Sequence, residues 1–203
     1  MTTVRTMHQT SDPELQAVLR RLCEEAIRLY TKGSGSPTPE RVIQVYCALE
    51  LIKLGFVVAV ETTGRQCKPW FNIPERVDLV ICDPSDDGNP DRAKPRAFVE
   101  FKMNPWNLDL DFQRIARMVK ETGCSFGYCI GCLCDLRPGS HQLAINHVAK
   151  SYPSAVSQAF SVPAGNGEQL YAAVIGVPVA ASDWKEPPAS SAGPPGMWRK
   201  MSE

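Results

Sequence analysis

The 203-residue sequence carries no net formal charge, 22 lysines and arginines balancing 22 aspartates and glutamates. No global field therefore draws the chain onto nucleic acid or an anionic membrane, and any such binding has to be local. No apolar run approaches the ~20 residues of a membrane-spanning helix, and the polar N-terminus lacks a signal-peptide core. No internal repeat is present, which excludes solenoid and propeller architectures. Histidine is scarce, at three residues. His141 and His147 stand at no metal-like spacing from each other or from an acid, and are expected on the surface. Cysteine is plentiful, at eight residues, but lacks a metal-binding rhythm. Cys129-x2-Cys132-x-Cys134, with Cys124 before it and Cys67 far upstream, matches no zinc-knuckle pattern. Cys132 and Cys134 would share one face of a strand with Cys129 opposite, so buried free thiols are expected. Without an export signal they read as reduced thiols of a cytoplasmic protein.

What remains is ordinary globular usage, 43% apolar and 22% charged, in a chain long enough to bury one sizeable core. Three segments are expected. Residues 1–37 are an amphipathic helix and a linker: Ser11-Asp12-Pro13-Glu14 has the form of a capping box, and Leu15, Val18, Leu19, Leu22, Ala26 and Leu29 make one stripe. Gly33-Ser34-Gly35-Ser36-Pro37 is a flexible connector. Residues 38–181 form an α/β domain, and 182–203, rich in Pro, Ser, Ala and Gly, form a loose tail despite Trp184 and Trp198.

Within the domain, Thr38-Pro39-Glu40 starts a helix running to Leu54, with Gly55 as terminator. It is apolar almost all round and so is expected to be buried; Glu50 shares a face with Ile43, Tyr46, Cys47 and Leu54. Strands follow at 56–61, 76–82 and 97–103, the last two separated by a cluster of turn formers at 83–90. Asn104-Pro105-Trp106-Asn107 breaks the chain before a helix over 108–122, whose stripe is Leu108, Phe112, Ile115 and Val119. A strand at 125–133, a short helix at 141–150 and a strand at 171–179 complete the reading.

Two strands carry the chemistry. Ala97-Phe98-Val99-Glu100-Phe101-Lys102-Met103 has an apolar face of Val99, Phe101 and Met103, which leaves Glu100 and Lys102 together on the opposite face. Arg76-Val77-Asp78-Leu79-Val80-Ile81-Cys82 is nearly continuous apolar strand with an acid in it. Near-continuous apolar runs mark strands buried on both faces, where a carboxylate costs several kcal/mol (roughly) unless a cation answers it. Two acids and one lysine on neighbouring strands point to a divalent metal; the plainer alternative is a buried structural ion pair.

The order helix (Glu50), strand, strand (Asp78), strand (Glu100, Lys102), helix, strand resembles the PD-(D/E)XK nuclease superfamily. Val77-Asp78 stands for the first half-motif, with Val in place of its Pro, and Glu100-Phe101-Lys102 for the second. The resemblance covers about residues 38–134. It implies a restriction-endonuclease-like αβββαβ core, a mixed β-sheet flanked by helices, and metal-dependent hydrolysis of phosphodiester bonds in DNA or, as the lesser case, RNA. Asp78, Glu100 and the carbonyl of Phe101 would hold Mg²⁺ or Mn²⁺, with Glu50 as the helical acid, and Lys102 would orient water or meet developing charge. Gln113 stands where some branches of the superfamily carry a glutamine followed four residues later by Tyr, here Arg117, and is a candidate phosphate or water contact. Asp111, nearer the apolar edge of that helix, is expected to pair with a basic neighbour.

Arg65 and Lys68 could grip a nucleic-acid backbone, with Trp106 stacking on a base; a solvated loop with a tucked aromatic is the plainer alternative. A double-strand cutter would pair two copies as a homodimer. Two other readings stay open. One is a catalytically silent module of the same fold that binds nucleic acid or protein. The other is a cysteine-bound zinc or iron–sulfur protein, since some exonucleases of the superfamily carry such a cluster, although the spacing here departs from theirs.

Overall fold

The computed structural model describes residues 11–63, 76–85, 93–164 and 167–186. Arg65, Lys68, Cys67, Trp70 and Trp198 lie outside the described residues. The elements are α1 (Asp12–Ser34), α2 (Glu40–Lys53), β1 (Val57–Thr63), β2 (Arg76–Asp83), β3 (Lys94–Lys102), α3 (Asp109–Thr122), β4 (Phe126–Asp135), α4 (Ser140–Ser151), β5 (Val156–Pro163) and β6 (Gln169–Val179), then a short 3₁₀ turn at Ala181–Asp183.

The six strands make one mixed sheet in the order β1-β2-β3-β4-β6-β5. β3 and β4 are parallel, with α3 as the crossover between them, and the other neighbours are antiparallel. The sheet separates two apolar layers. In one, Leu15, Leu19 and Ile27 of α1 and Ile43, Cys47 and Leu51 of α2 pack on Leu79, Val99, Phe101 and Tyr128. In the other, Leu108, with Ile115, Met118 and Val119 of α3 and Ala144 and Val148 of α4, covers Val80, Phe98, Cys129 and Ile175. Strands buried on both faces lose the polar–apolar alternation, which is why β2, β3 and β4 read as continuous apolar runs. No helix among the described residues is long and apolar enough to cross a membrane.

Several expectations are altered. α1 forms as its capping box predicts, Ser11 N–H donating to Glu14 Oε2 at 2.7 Å, and it ends at Gly35 in the left-handed region, φ 69°. Its stripe belongs to the main core, however, while Leu29 faces solvent. α2 is not buried all round: Ile43, Gln44, Cys47, Ala48 and Leu51 face inward, while Val45, Leu49 and Ile52 are exposed. Apolar composition alone gives no face; α1 and the sheet cover only one side of the helix. β5 had no counterpart in the sequence reading. It is an edge strand whose first four residues, Val156 to Ala159, are all exposed, so no buried periodicity marks it. Where a loose tail was expected from Ser182, the segment 182–186 lies on α3: Gln113 bonds Asp183 and Lys185, and Lys120 sits over the Trp184 ring at 4.4 Å.

Two glycines bring the α3 side close to β4. A Cβ on Gly127 would stand 2.1 Å from Ile115 Cγ2, and one on Gly131 2.7 Å from Pro105 Cβ. Such distances are far inside van der Waals contact, so the small residues set the depth at which α3, and the turn before it, rest on the sheet.

Candidate functional site

The β2–β3 ladder runs as far as Leu79 opposite Val99. One step further, where the ladder stops, the same register sets Asp78 beside Glu100. Strict alternation does not hold through this part of β2, since Val77 packs with Val80 in the α3 layer; Asp78 is met by Gln44 from the α2 side, and Glu100 by Arg114 from the α3 side. The Phe101 amide there has a side-chain acceptor: its N–H donates to Asp78 Oδ2 at 2.8 Å. Gln44 of α2 donates from Nε2 to both Asp78 Oδ1 and the Asp78 carbonyl, each at 3.2 Å, and its own carbonyl accepts from Arg41 at 3.3 Å. Asp78 is therefore fixed from two sides, by the backbone of β3 and by a buried amide.

Glu100 is 5% exposed. Its Oε1 lies 2.5 Å from Arg114 Nη2 and 3.6 Å from Lys102 Nζ. Its Oε2 is buried with no hydrogen-bond partner. Asp111 completes the cluster, 2.8 Å from Arg114 and 3.4 Å from Lys102. Glu40, at the start of α2, accepts from the Met103 N–H at 3.2 Å. Glu100 and Asp111 thus share two partly exposed cations, Lys102 and Arg114, at the end of β3, with Asp78 held beside them by the Phe101 N–H.

The electrostatics follow from this crowding. Burial, and after it the charge of Asp78, push the Glu100 carboxyl up to about 7 against the pull of Arg114. Burial likewise raises Asp78, opposed by the Phe101 N–H and by Lys102 and Arg114. For Lys102 burial works downward, but Asp111 and Glu100 outweigh it and the ammonium is held more firmly charged. Lys102 is thus a fixed positive charge rather than a base.

Of the residues singled out in the sequence, Asp78, Glu100 and Lys102 come together, and Phe101 joins them through its N–H. Glu50 does not. It pairs with Lys53 at 2.6 Å, six residues along α2 from Gln44, about 9 Å along the axis and on a different side of the helix. Gln113 faces away as well, its amide engaged by the Asp183 carbonyl at 3.3 Å and the Lys185 N–H at 3.1 Å. The helical positions that do reach the acids, Gln44, Asp111 and Arg114, carried a readable signal. Gln44 interrupts the inward set Ile43, Cys47, Ala48 and Leu51, and Asp111 and Arg114 stand three and four positions from Leu108, Ile115 and Met118.

The cysteines of β4 do not form one cluster. Cys129 lies in the α3 layer and Cys132 in the α1 layer, where Cys23 and Cys47 stand with their sulfurs 3.8 Å apart. None of the seven described cysteines is in a disulfide, and burial raises Cys23, Cys124, Cys129 and Cys134. Among the described residues no group of three or more His, Cys, Asp or Glu stands ready to hold a metal by itself. The oxygens with free capacity are those of the Asp78–Glu100 pair, where a hard cation would keep most of its waters. Compared with known proteins, the chain matches no family model, no curated protein and no solved structure.

Proposed function

We propose that the chain is a metal-dependent nuclease that hydrolyses phosphodiester bonds, of DNA before RNA, on an αβββαβ core of the restriction-endonuclease-like kind. The observation that carries this reading is the buried, unpartnered Oε2 of Glu100, on the strand paired with that of Asp78, in a cluster where acids outnumber cations. An orphaned buried carboxylate oxygen costs free energy unless a cation meets it. The element order α2-β1-β2-β3-α3-β4 and the mixed sheet also agree with the core that the sequence motifs imply.

The residues present fit Mg²⁺ or Mn²⁺ by chemistry: hard carboxylate oxygens, few in number, one of them buried without a partner. Asp78 and Glu100 would hold it; once bound, it supplies Lewis acidity and lowers the pKa of water. The protein's own groups act around it. Gln44 and the Phe101 N–H aim the Asp78 carboxylate, and Asp111 holds Lys102 and Arg114. Lys102, a third exposed and held charged, reaches the rim, where it can meet a phosphate oxygen as charge develops. Arg114 on Glu100 favours a second reading, a silent module of this fold in which the guanidinium permanently neutralises the acid.

Incubation with linear and circular DNA and with RNA, in Mg²⁺, Mn²⁺ or EDTA, separates the two. Cleavage by the wild type that is lost in EDTA, in Glu100→Gln and in Lys102→Met supports the nuclease. Cleavage that survives either substitution overturns this site, and binding without cleavage supports the silent module.

A further inference from the structure

Trp106 stands in the turn between β3 and α3 and is 45% exposed, although tryptophan is among the residues most buried on average. The turn does not leave it loose. The Trp106 N–H donates to Asn104 Oδ1 at 3.1 Å, and the preceding Pro105 rests where only a glycine, Gly131, leaves room. The indole leans on the His147 ring of α4, centroids 4.9 Å apart at 53°. Both rings line a cleft of about 140 Å³, with Pro105, Leu108, Asp109 and Tyr152 among its other walls. That is well below the ~300–1,000 Å³ of pockets that take drug-sized ligands, so a single flat ring suits it. None of its lining residues is a lysine or an arginine, and Asp109, bonded by the Tyr152 hydroxyl, adds negative charge. A phosphate is disfavoured there and a neutral aromatic face is not.

The place matters as much as the chemistry. Trp106 lies four positions after Lys102, at most about 14 Å of chain. With no net charge on the chain to draw in a phosphate backbone at long range, stacking can add affinity beside whatever local cations meet the phosphates. Resting on the nuclease reading, we propose that Trp106, backed by His147, is a stacking platform for an unpaired base, and that the substrate is nucleic acid single-stranded beside the scissile bond. In a duplex the base faces are already stacked on each other and the platform has nothing to take.

The test is equilibrium binding of the full chain, in EDTA to prevent cleavage, to a labelled oligodeoxynucleotide in single-stranded form and annealed to its complement. Trp106→Ala should weaken single-strand binding about 5- to 150-fold and Trp106→Phe should restore most of it. Duplex binding should change less than about twofold in either variant, and thermal melting checks that both fold. Single-strand binding unchanged by Trp106→Ala, or equal loss for both forms, overturns the platform while leaving the nuclease reading standing. A wild type that neither binds nor cuts any nucleic acid overturns both.

Discussion

Phe101 donates its backbone N–H to Asp78 Oδ2 at 2.8 Å, so β3 itself holds the acid that β2 contributes. The ladder between the two strands has ended there, and a carboxylate takes the donor that a further ladder pair would have used. The geometry that makes Asp78 tolerable in an apolar strand is the same one that sets it beside Glu100.

Glu100 makes the metal-free protein pH-sensitive. Its carboxyl is raised from an ordinary 4.5 to about 7, by burial first and by Asp78 second. The folded chain therefore keeps a proton that the unfolded chain releases, and stability falls as pH rises from 4.5 towards 7 and is then level. Urea unfolding in EDTA at about pH 5 and about pH 8 should show wild type losing on the order of 3 kcal/mol more than Glu100→Gln. Equal losses would place the proton elsewhere.

Arg114 bridges Glu100 and Asp111. Arg114→Met leaves a buried carboxylate with only the more distant Lys102, and should cost roughly 3–5 kcal/mol at about pH 8. Adding Glu100→Gln to it should recover most of that loss in the same unfolding experiment, because both halves of the pair are then uncharged.

Gln44 touches no substrate in this account. It positions Asp78, so Gln44→Ala should lower affinity for Mn²⁺ about 10- to 100-fold while Asp78 and Glu100 remain in place. Calorimetric titration of the variant reads this directly, and Gln44→Met separates loss of the donor from loss of volume.

Glu50, by contrast, should be dispensable. Its partner is Lys53, with both side chains reached by solvent. Glu50→Gln should change stability by less than about 1 kcal/mol and leave cleavage unaltered.

Glu50 and Gln44 together show where reading the sequence succeeds and fails. An acid in an apolar strand is conspicuous because the alternatives at that position are few, so Asp78, Glu100 and Lys102 stood out, and with them the strands that carry them. A helix as apolar as α2 offers several faces at nearly equal hydrophobicity. Which one turns inward is settled by α1, and that choice put Gln44 on the acids and Glu50 on Lys53. Arg114 was passed over for a related reason. Long cationic side chains usually read as a solvated face, whereas Glu100 across the layer and Asp111 on the same helix hold this one. β5 left no signal at all, since an exposed edge strand needs no apolar pattern.

Divalent-ion binding is the property on which the rest depends, and calorimetric titration of the full chain with Mn²⁺, beside Asp78→Asn and Glu100→Gln, measures it. Saturable binding by the wild type, weakened at least about tenfold by each substitution, is the expected result. No saturable binding by the wild type, or equal affinity in all three proteins, would show that Arg114 and Lys102 are the only cations these acids ever meet.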